Sequence, residues 1–219
     1  MANADDEMAR KELEKAKAID EAYVSLVKQD LGASIQYLLE MERMFDHDTR
    51  RLFELVRVHM DSVLADRQNS AKFEEFQLFA RAFVRALFAH VEGVTYLKRQ
   101  VVLWAYDRGE IALTQSELSS LSEGARGGTG KCQFNTVKEN FRLAFDYFPR
   151  LFGSSYQPDK NSQGWCFFCR SIKVRDAITH PKTTTEFKLS GDAVREAQIA
   201  AMWFNETLRS LLISCADDA

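Results

Sequence analysis

The feature that most constrains this fold is an apolar stripe running for roughly 30 residues through the middle of the sequence. Its members recur at steps of three and four residues: Phe76, Phe79, Phe83, Leu87, His90, Val94, Leu97, Val101 and Trp104. Residues spaced in this way share one face of an α-helix, whereas a strand would require alternation with a period of two. The stripe predicts one long helix that needs partners to cover its apolar face.

Helices are favoured elsewhere because the residues that interrupt them are rare. The 219 residues include 3 prolines and 10 glycines. Shorter stripes predict further helices over about 5–29, from Gly32, from a cap at Asp48, from Thr114, from Asn135, over 165–179, and from Ser190 or Asp192. Thr183 to Leu189 is expected to be extended. The prediction is an all-α helical bundle with a short extended segment after Pro181.

A polar cluster divides the sequence. Asp66 to Ser70 has the composition of a connection between helices. We therefore expect residues 1–70 to form N-terminal helices that pack on a core, and residues 71–219 to form the main helical domain.

The formal charge of −3 argues against tight, sequence-independent binding to long nucleic acids. A small RNA site remains compatible with it, because such a site needs only a few cations. No apolar run approaches the roughly 18 residues that cross a bilayer, and Met1 to Lys17 is too charged for a signal peptide. The sequence predicts a cytoplasmic protein without membrane contact.

Chemistry is suggested by one segment, Arg175-Asp176-Ala177-Ile178-Thr179-His180-Pro181. A helical wheel through Trp165, Phe168, Cys169 and Ile172 places Asp176 near the middle of the apolar stripe and Arg175 at its edge. Buried charges must be paired, or must face a cavity or an interface.

His180 precedes a proline, and such a residue avoids the helical region. The helix is therefore expected to end at about Thr179. A continued helix would hold Arg175 and His180 roughly 140° apart. The break removes that constraint and allows the imidazole to approach the guanidinium.

The two groups suit metal-free attack on RNA. Histidine can remove the proton of the ribose 2′-OH or protonate the departing oxygen. Arginine can hold the phosphate and stabilise charge in the transition state. Asp176 can orient either group.

Arginine, a polar residue, three further positions and histidine, on a late helix followed by Pro181, resemble the signature of the HEPN superfamily. The resemblance covers roughly residues 165–212, including Trp203-Phe204 and the helix to Leu212. It implies a HEPN-like fold for residues 71–219 and a homodimer whose arginines and histidines line one cleft. It also implies a metal-independent endoribonuclease of a toxin–antitoxin or phage-defence system, without metal or cofactor and with a possible cognate antitoxin or other protein partner. Arg175, His180 and Asp176 would be catalytic.

Three further cations are candidate substrate-binding residues. Arg126 and Lys131 belong to the glycine-rich segment 124–131, and Lys182 follows the motif. The glycine-rich segment is not a P-loop, because Ala125 and Cys132 occupy positions that require glycine and Ser or Thr. Cys166 and Cys169 have the spacing of half a zinc site, but no second pair lies at a suitable distance.

Other interpretations stay open. Arg175 and Asp176 can form a structural ion pair while His180 caps the helix end. The cleft of a non-catalytic helical module can bind a nucleotide, RNA or a partner protein, and a purely structural helical protein is a third possibility. His90, on the long stripe, is expected to be a core histidine with one hydrogen bond, or a residue supporting the site.

Overall fold

Two long helices dominate the architecture. In the computed structural model, α1 spans Gly32–Ala65 and α2 spans Ser70–Asp107. The structure describes residues 32–66, 68–122 and 135–217, so the helix predicted over 5–29 and the segment 124–131 lie outside it. The predicted connection separates α1 from α2, and Asn69 caps α2 by accepting a hydrogen bond from the N–H of Lys72.

Four shorter helices follow. They are α3 (Gln115–Leu121), α4 (Val137–Tyr147), α5 (Gln163–Thr179) and α6 (Gly191–Asp217), with a 3-10 helix at Pro149–Phe152 between α4 and α5. No strand occurs within the described ranges. The all-α helical bundle is confirmed.

The helix starts follow the chemistry of capping. Thr114 and Glu117 form the predicted capping box, each side chain bonding the backbone of the other residue. Ser190 caps α6, since its hydroxyl accepts from the N–H of Ala193 at 3.1 Å. The cap of α4 is Thr136 rather than Asn135, because Thr136 has Glu139 three residues later and Asn135 has no such partner.

The helix start predicted at Asp48 is wrong. Asp48 lies inside α1, which runs without interruption from Gly32 to Ala65. The intervening sequence contains no proline or glycine to stop the helix, and an exposed aspartate costs little within it.

The extended segment predicted after Pro181 is also not observed. Residues 184–187 form a turn, which is closed by a 3.1 Å bond from the N–H of Lys188 to the carbonyl of Thr185. The Glu186 carboxylate accepts from the N–H of Lys182 at 2.6 Å, and the Thr183 hydroxyl accepts from the N–H of Glu186. These local bonds compete with an extended chain.

The core lies around α2, which contacts each of the five other α-helices in the described part of the chain. Buried aromatic rings from α4, α5 and α6 pack together beside it: Phe141 and Phe145, Phe168, and Phe204. Their burial fixes α5 between α2 and α6. None of the helices within the described residues is both long and apolar enough to cross a membrane.

His90 is a core residue, as expected, but the predicted hydrogen bond is not found. It is 1% exposed and lies between the rings of Phe45 and Phe204. Neither ring nitrogen has a hydrogen-bond partner among the described residues. Burial lowers the pKa of His90 from 6.5 to about 4, although Glu42 and Asp46 act in the opposite direction, and Lys98 lowers it further.

This depressed pKa predicts acid sensitivity. The unfolded chain binds the His90 proton near pH 6.5, whereas the folded chain resists it down to about pH 4. Stability is therefore complete above the unfolded pKa and is lost as the pH falls through this window. Lowering the pH from about 7.5 to about 5 should cost roughly 2 kcal/mol through this group.

Urea unfolding at a series of pH values measures the effect. His90→Leu should reduce the slope of stability against pH more than the control His47→Gln, which removes an exposed histidine. An unaltered slope in His90→Leu would contradict the assignment.

Candidate functional site

The candidate site lies at the C-terminal end of α5. The buried residues of this helix are Phe168, Ser171 and Ile178, and Arg175 has the same helical spacing. The Arg175 side chain is accordingly 24% exposed, and that of Asp176 is 56% exposed. The prediction that Asp176 lies at the middle of the buried face is therefore wrong. The core-facing side of α5 is the side of Phe168, Ser171 and Ile178. The predicted apolar stripe included Trp165 and Ile172, which are only half-buried.

Two carboxylates hold the Arg175 guanidinium. Its Nη1 donates to Oδ1 of Asp176 at 2.9 Å, and its Nη2 donates to Oε1 of Glu92 on α2. Burial acts to lower the pKa of Arg175, but the bond to Asp176 and the charge of Glu92 outweigh it, so the pKa is raised. The guanidinium is permanently charged and is fixed between two helices.

Arg175 opens onto a surface cavity of about 600 Å³. Its wall combines Glu92 and Tyr96 of α2, Lys138 and Asn140 of α4, and Arg175 and Asp176 of α5. The structural ion pair and a solvent-reachable guanidinium are thus both present. A small anionic or polar group can enter and meet the remaining N–H groups of Arg175.

His180 ends α5 as expected. Its backbone has φ −128° and ψ 58°, outside the helical region, and its N–H donates to the carbonyl of Asp176. The imidazole is exposed. His180 does not line the cavity of Arg175, so one chain brings Arg175 and Asp176 together but does not bring His180 into the same cavity.

The predicted substrate-binding residues are dispersed. Lys182 is exposed and lines a second cavity formed with the start of α2. Arg126 and Lys131 lie outside the described residues. Cys166 is exposed and Cys169 is half-buried, and burial raises the pKa of the Cys169 thiol.

Comparisons with known proteins find no match: no family model, curated protein or solved structure matches this chain.

Four polar residues of α2 that the sequence interpretation missed position this site. Gln77 exchanges two hydrogen bonds with the backbone of Leu189, at 2.7 and 2.8 Å. Arg81 donates to the carbonyl of Phe187, and Arg85 donates to that of Ile178 at 2.9 Å. Glu92 pairs with Arg175. These positions lie within roughly 80° of one another on the helix.

We call Gln77, Arg81, Arg85 and Glu92 the polar stripe of α2. It holds both the last turn of α5 and the connection to α6, so it determines where Arg175 and His180 stand. The sequence signal was available: polar residues spaced by four and seven lie beside the apolar face of one long helix.

Proposed function

We propose that this chain is a metal-independent endoribonuclease of HEPN type that acts as a homodimer. The proposal is supported by one observation above all. A guanidinium held in place by two carboxylates opens onto a cavity, and an exposed imidazole stands where the same helix ends. Both groups are accessible to a substrate from outside the chain.

In this proposal the reaction is a transesterification. The ribose 2′-oxygen attacks the phosphorus, the bond to the 5′-oxygen breaks, and a 2′,3′-cyclic phosphate and a 5′-hydroxyl result. His180 takes the 2′-OH proton as general base or delivers one to the departing oxygen as general acid. Arg175 binds the phosphate and stabilises its developing charge, while Asp176 and Glu92 orient the guanidinium.

Dimerisation would bring together the Arg175 guanidinium and the His180 imidazole, which do not share a cavity within one chain. Two copies facing each other across the ends of α5 would contribute both arginines and both histidines to a shared cleft. An imidazole from one protomer could then lie beside the phosphate that the other protomer binds.

The test uses the purified full chain, a mixed RNA substrate and an excess of EDTA. We expect cleavage that survives EDTA and yields cyclic phosphate ends, and that is lost in Arg175→Ala and in His180→Ala. Arg170→Ala and His47→Ala are matched controls, because both residues are exposed and lie outside the candidate site. Growth arrest on expression, relieved by the same two substitutions, would accord with a toxin or defence role.

A second candidate is a non-catalytic module that binds a nucleotide, RNA or a partner protein. It is favoured by the two ion pairs of Arg175, since a guanidinium satisfied by two carboxylates can serve structure alone. Wild-type protein that leaves RNA intact, or cleavage equal in all variants, would favour this second candidate over the nuclease.

A further inference from the structure

A second cavity, of about 890 Å³, lies between the start of α2 and the connection from α5 to α6. Phe73, Glu74, Gln77 and Arg81 line it from α2, and residues 181–184, 187 and 188 line it from the connection. Pro181 and Lys182 follow His180 directly in the chain, although His180 itself does not line the cavity. Its volume is within the range of small-molecule sites.

The charge around this cavity is unbalanced. Its lining residues include three cations, Arg81, Lys182 and Lys188, and one carboxylate, Glu74. Within the ranges that the structure describes, none of the three cations forms an ion pair. Burial and the charge of the nearby Arg85 lower the pKa of Arg81. The Glu186 carboxylate, which accepts from the N–H of Lys182 at 2.6 Å, adds a second negative charge, so the excess is one positive charge. A net positive charge around an open cavity favours an anionic ligand.

The cations are held in different ways. The Arg81 guanidinium lies 4.2 Å from the centre of the Phe187 ring and donates to the Phe187 carbonyl at 3.4 Å, so the loop fixes its position. Lys182 and Lys188 are exposed and can turn toward a ligand. The exposed hydroxyl residues Thr183 and Thr184 lie between them in sequence and offer donors to phosphate oxygens.

An aromatic ring completes the cavity. Phe73 is 41% exposed on the first turn of α2 and lines the same space. An exposed ring beside cations is the arrangement that binds nucleotides without regard to sequence, because a base stacks on the ring and its phosphate meets the cations.

We propose that this cavity binds one nucleotide unit, with its phosphate at Arg81, Lys182 and Lys188 and its base on Phe73. The unit would belong to the RNA strand next to the bond that is cleaved. The assignment to a substrate RNA rests on the proposed nuclease function, whereas nucleotide binding itself does not. A free mononucleotide offers the same chemistry.

Binding is measured by fluorescence anisotropy with a labelled 2′-O-methyl RNA hexamer, which lacks the attacking 2′-hydroxyl and so cannot be cleaved. Lys182→Gln/Lys188→Gln should weaken binding about tenfold and reduce the slope of log affinity against log salt by about 1.4. The control Lys160→Gln/Lys173→Gln removes equal charge at exposed residues elsewhere and should change affinity less than about twofold.

The base contact is tested separately. Phe73→Ala should weaken hexamer binding about tenfold, because it removes the stacking surface. Leu78→Ala is its control, since Leu78 is exposed on the same helix and does not line the cavity. Circular dichroism verifies that all variants remain folded.

A parallel titration with 5′-AMP, with inorganic phosphate as competitor, distinguishes a free mononucleotide from a nucleotide within an RNA strand. AMP binding that depends on the two lysines assigns the site to free nucleotides, and hexamer binding alone assigns it to a strand. No binding of either probe, or equal losses in test and control variants, would overturn the proposal. Hexamer binding through the lysines without any RNA cleavage would refute only the nuclease.

Discussion

Replacing His180 by alanine is expected to slow RNA cleavage by about 10²- to 10⁴-fold, which is the usual contribution of a positioned proton-transfer group. The imidazole is exposed, and the bond from His180 to Asp176 that ends α5 uses the backbone N–H. The substitution should therefore remove the chemistry without disturbing the helix end.

The pH profile separates this role from a structural one. A group that transfers a proton in the reaction must be in one protonation state to act, so the wild-type rate should depend on pH. His180→Ala and His180→Gln should lose that dependence together with the rate. Arg175→Lys keeps a cation but not the planar pair of donors, and should lower the rate without changing the shape of the profile. Single-turnover rates measured across pH provide the comparison.

A rate for His180→Ala within a few-fold of the wild type would contradict the catalytic role. A slow variant with an unchanged pH profile would instead indicate that His180 only positions another group.

Lys98→Met is expected to lower the free energy of unfolding by about 3–5 kcal/mol. Lys98 is fully buried on α2, and its ammonium group lies 2.5 Å from the Glu42 carboxylate on α1 and 4.6 Å from the centre of the Phe148 ring. Methionine fills similar space, but the Glu42 charge stays buried without the ammonium group that now faces it. The cost follows from that charge rather than from a cavity.

Urea unfolding of single and double variants tests this explanation. Glu42→Gln/Lys98→Met removes both charges and should recover a large part of the loss. Arg51→Met breaks an exposed pair with Glu54 and should cost less than about 1 kcal/mol. A Lys98→Met variant as stable as Arg51→Met would show that the buried pair contributes little.

Much of the fold follows from patterns that are local in the chain. The stripe from Phe76 to Trp104 predicts α2 because a spacing of three and four is a property of the helix itself. The capping box at Thr114 is equally local. Asp48 shows the limit of such signals, since a capping residue starts a helix only where the preceding chain stops being helical.

The candidate site is predicted less well because its geometry is tertiary. The sequence indicates that Arg175 and Asp176 share a helix, but the packing of Phe168 and Ile178 against the core decides which of the two turns inward. Glu92 lies 83 positions before its partner Arg175, and no short-range pattern joins them. His90 likewise has no hydrogen-bond partner among the described residues because α1, α2 and α6 meet around its ring.

Because of the polar stripe of α2, the number of residues between the stripe positions helps to determine the geometry of the site. The four side chains of the stripe reach their partners because each has a fixed rotation and rise along the same helix. An inserted residue between Arg85 and Glu92 would rotate them apart by about 100°. Divergent copies of this chain can therefore vary side chains outside the stripe more freely than the number of residues within α2.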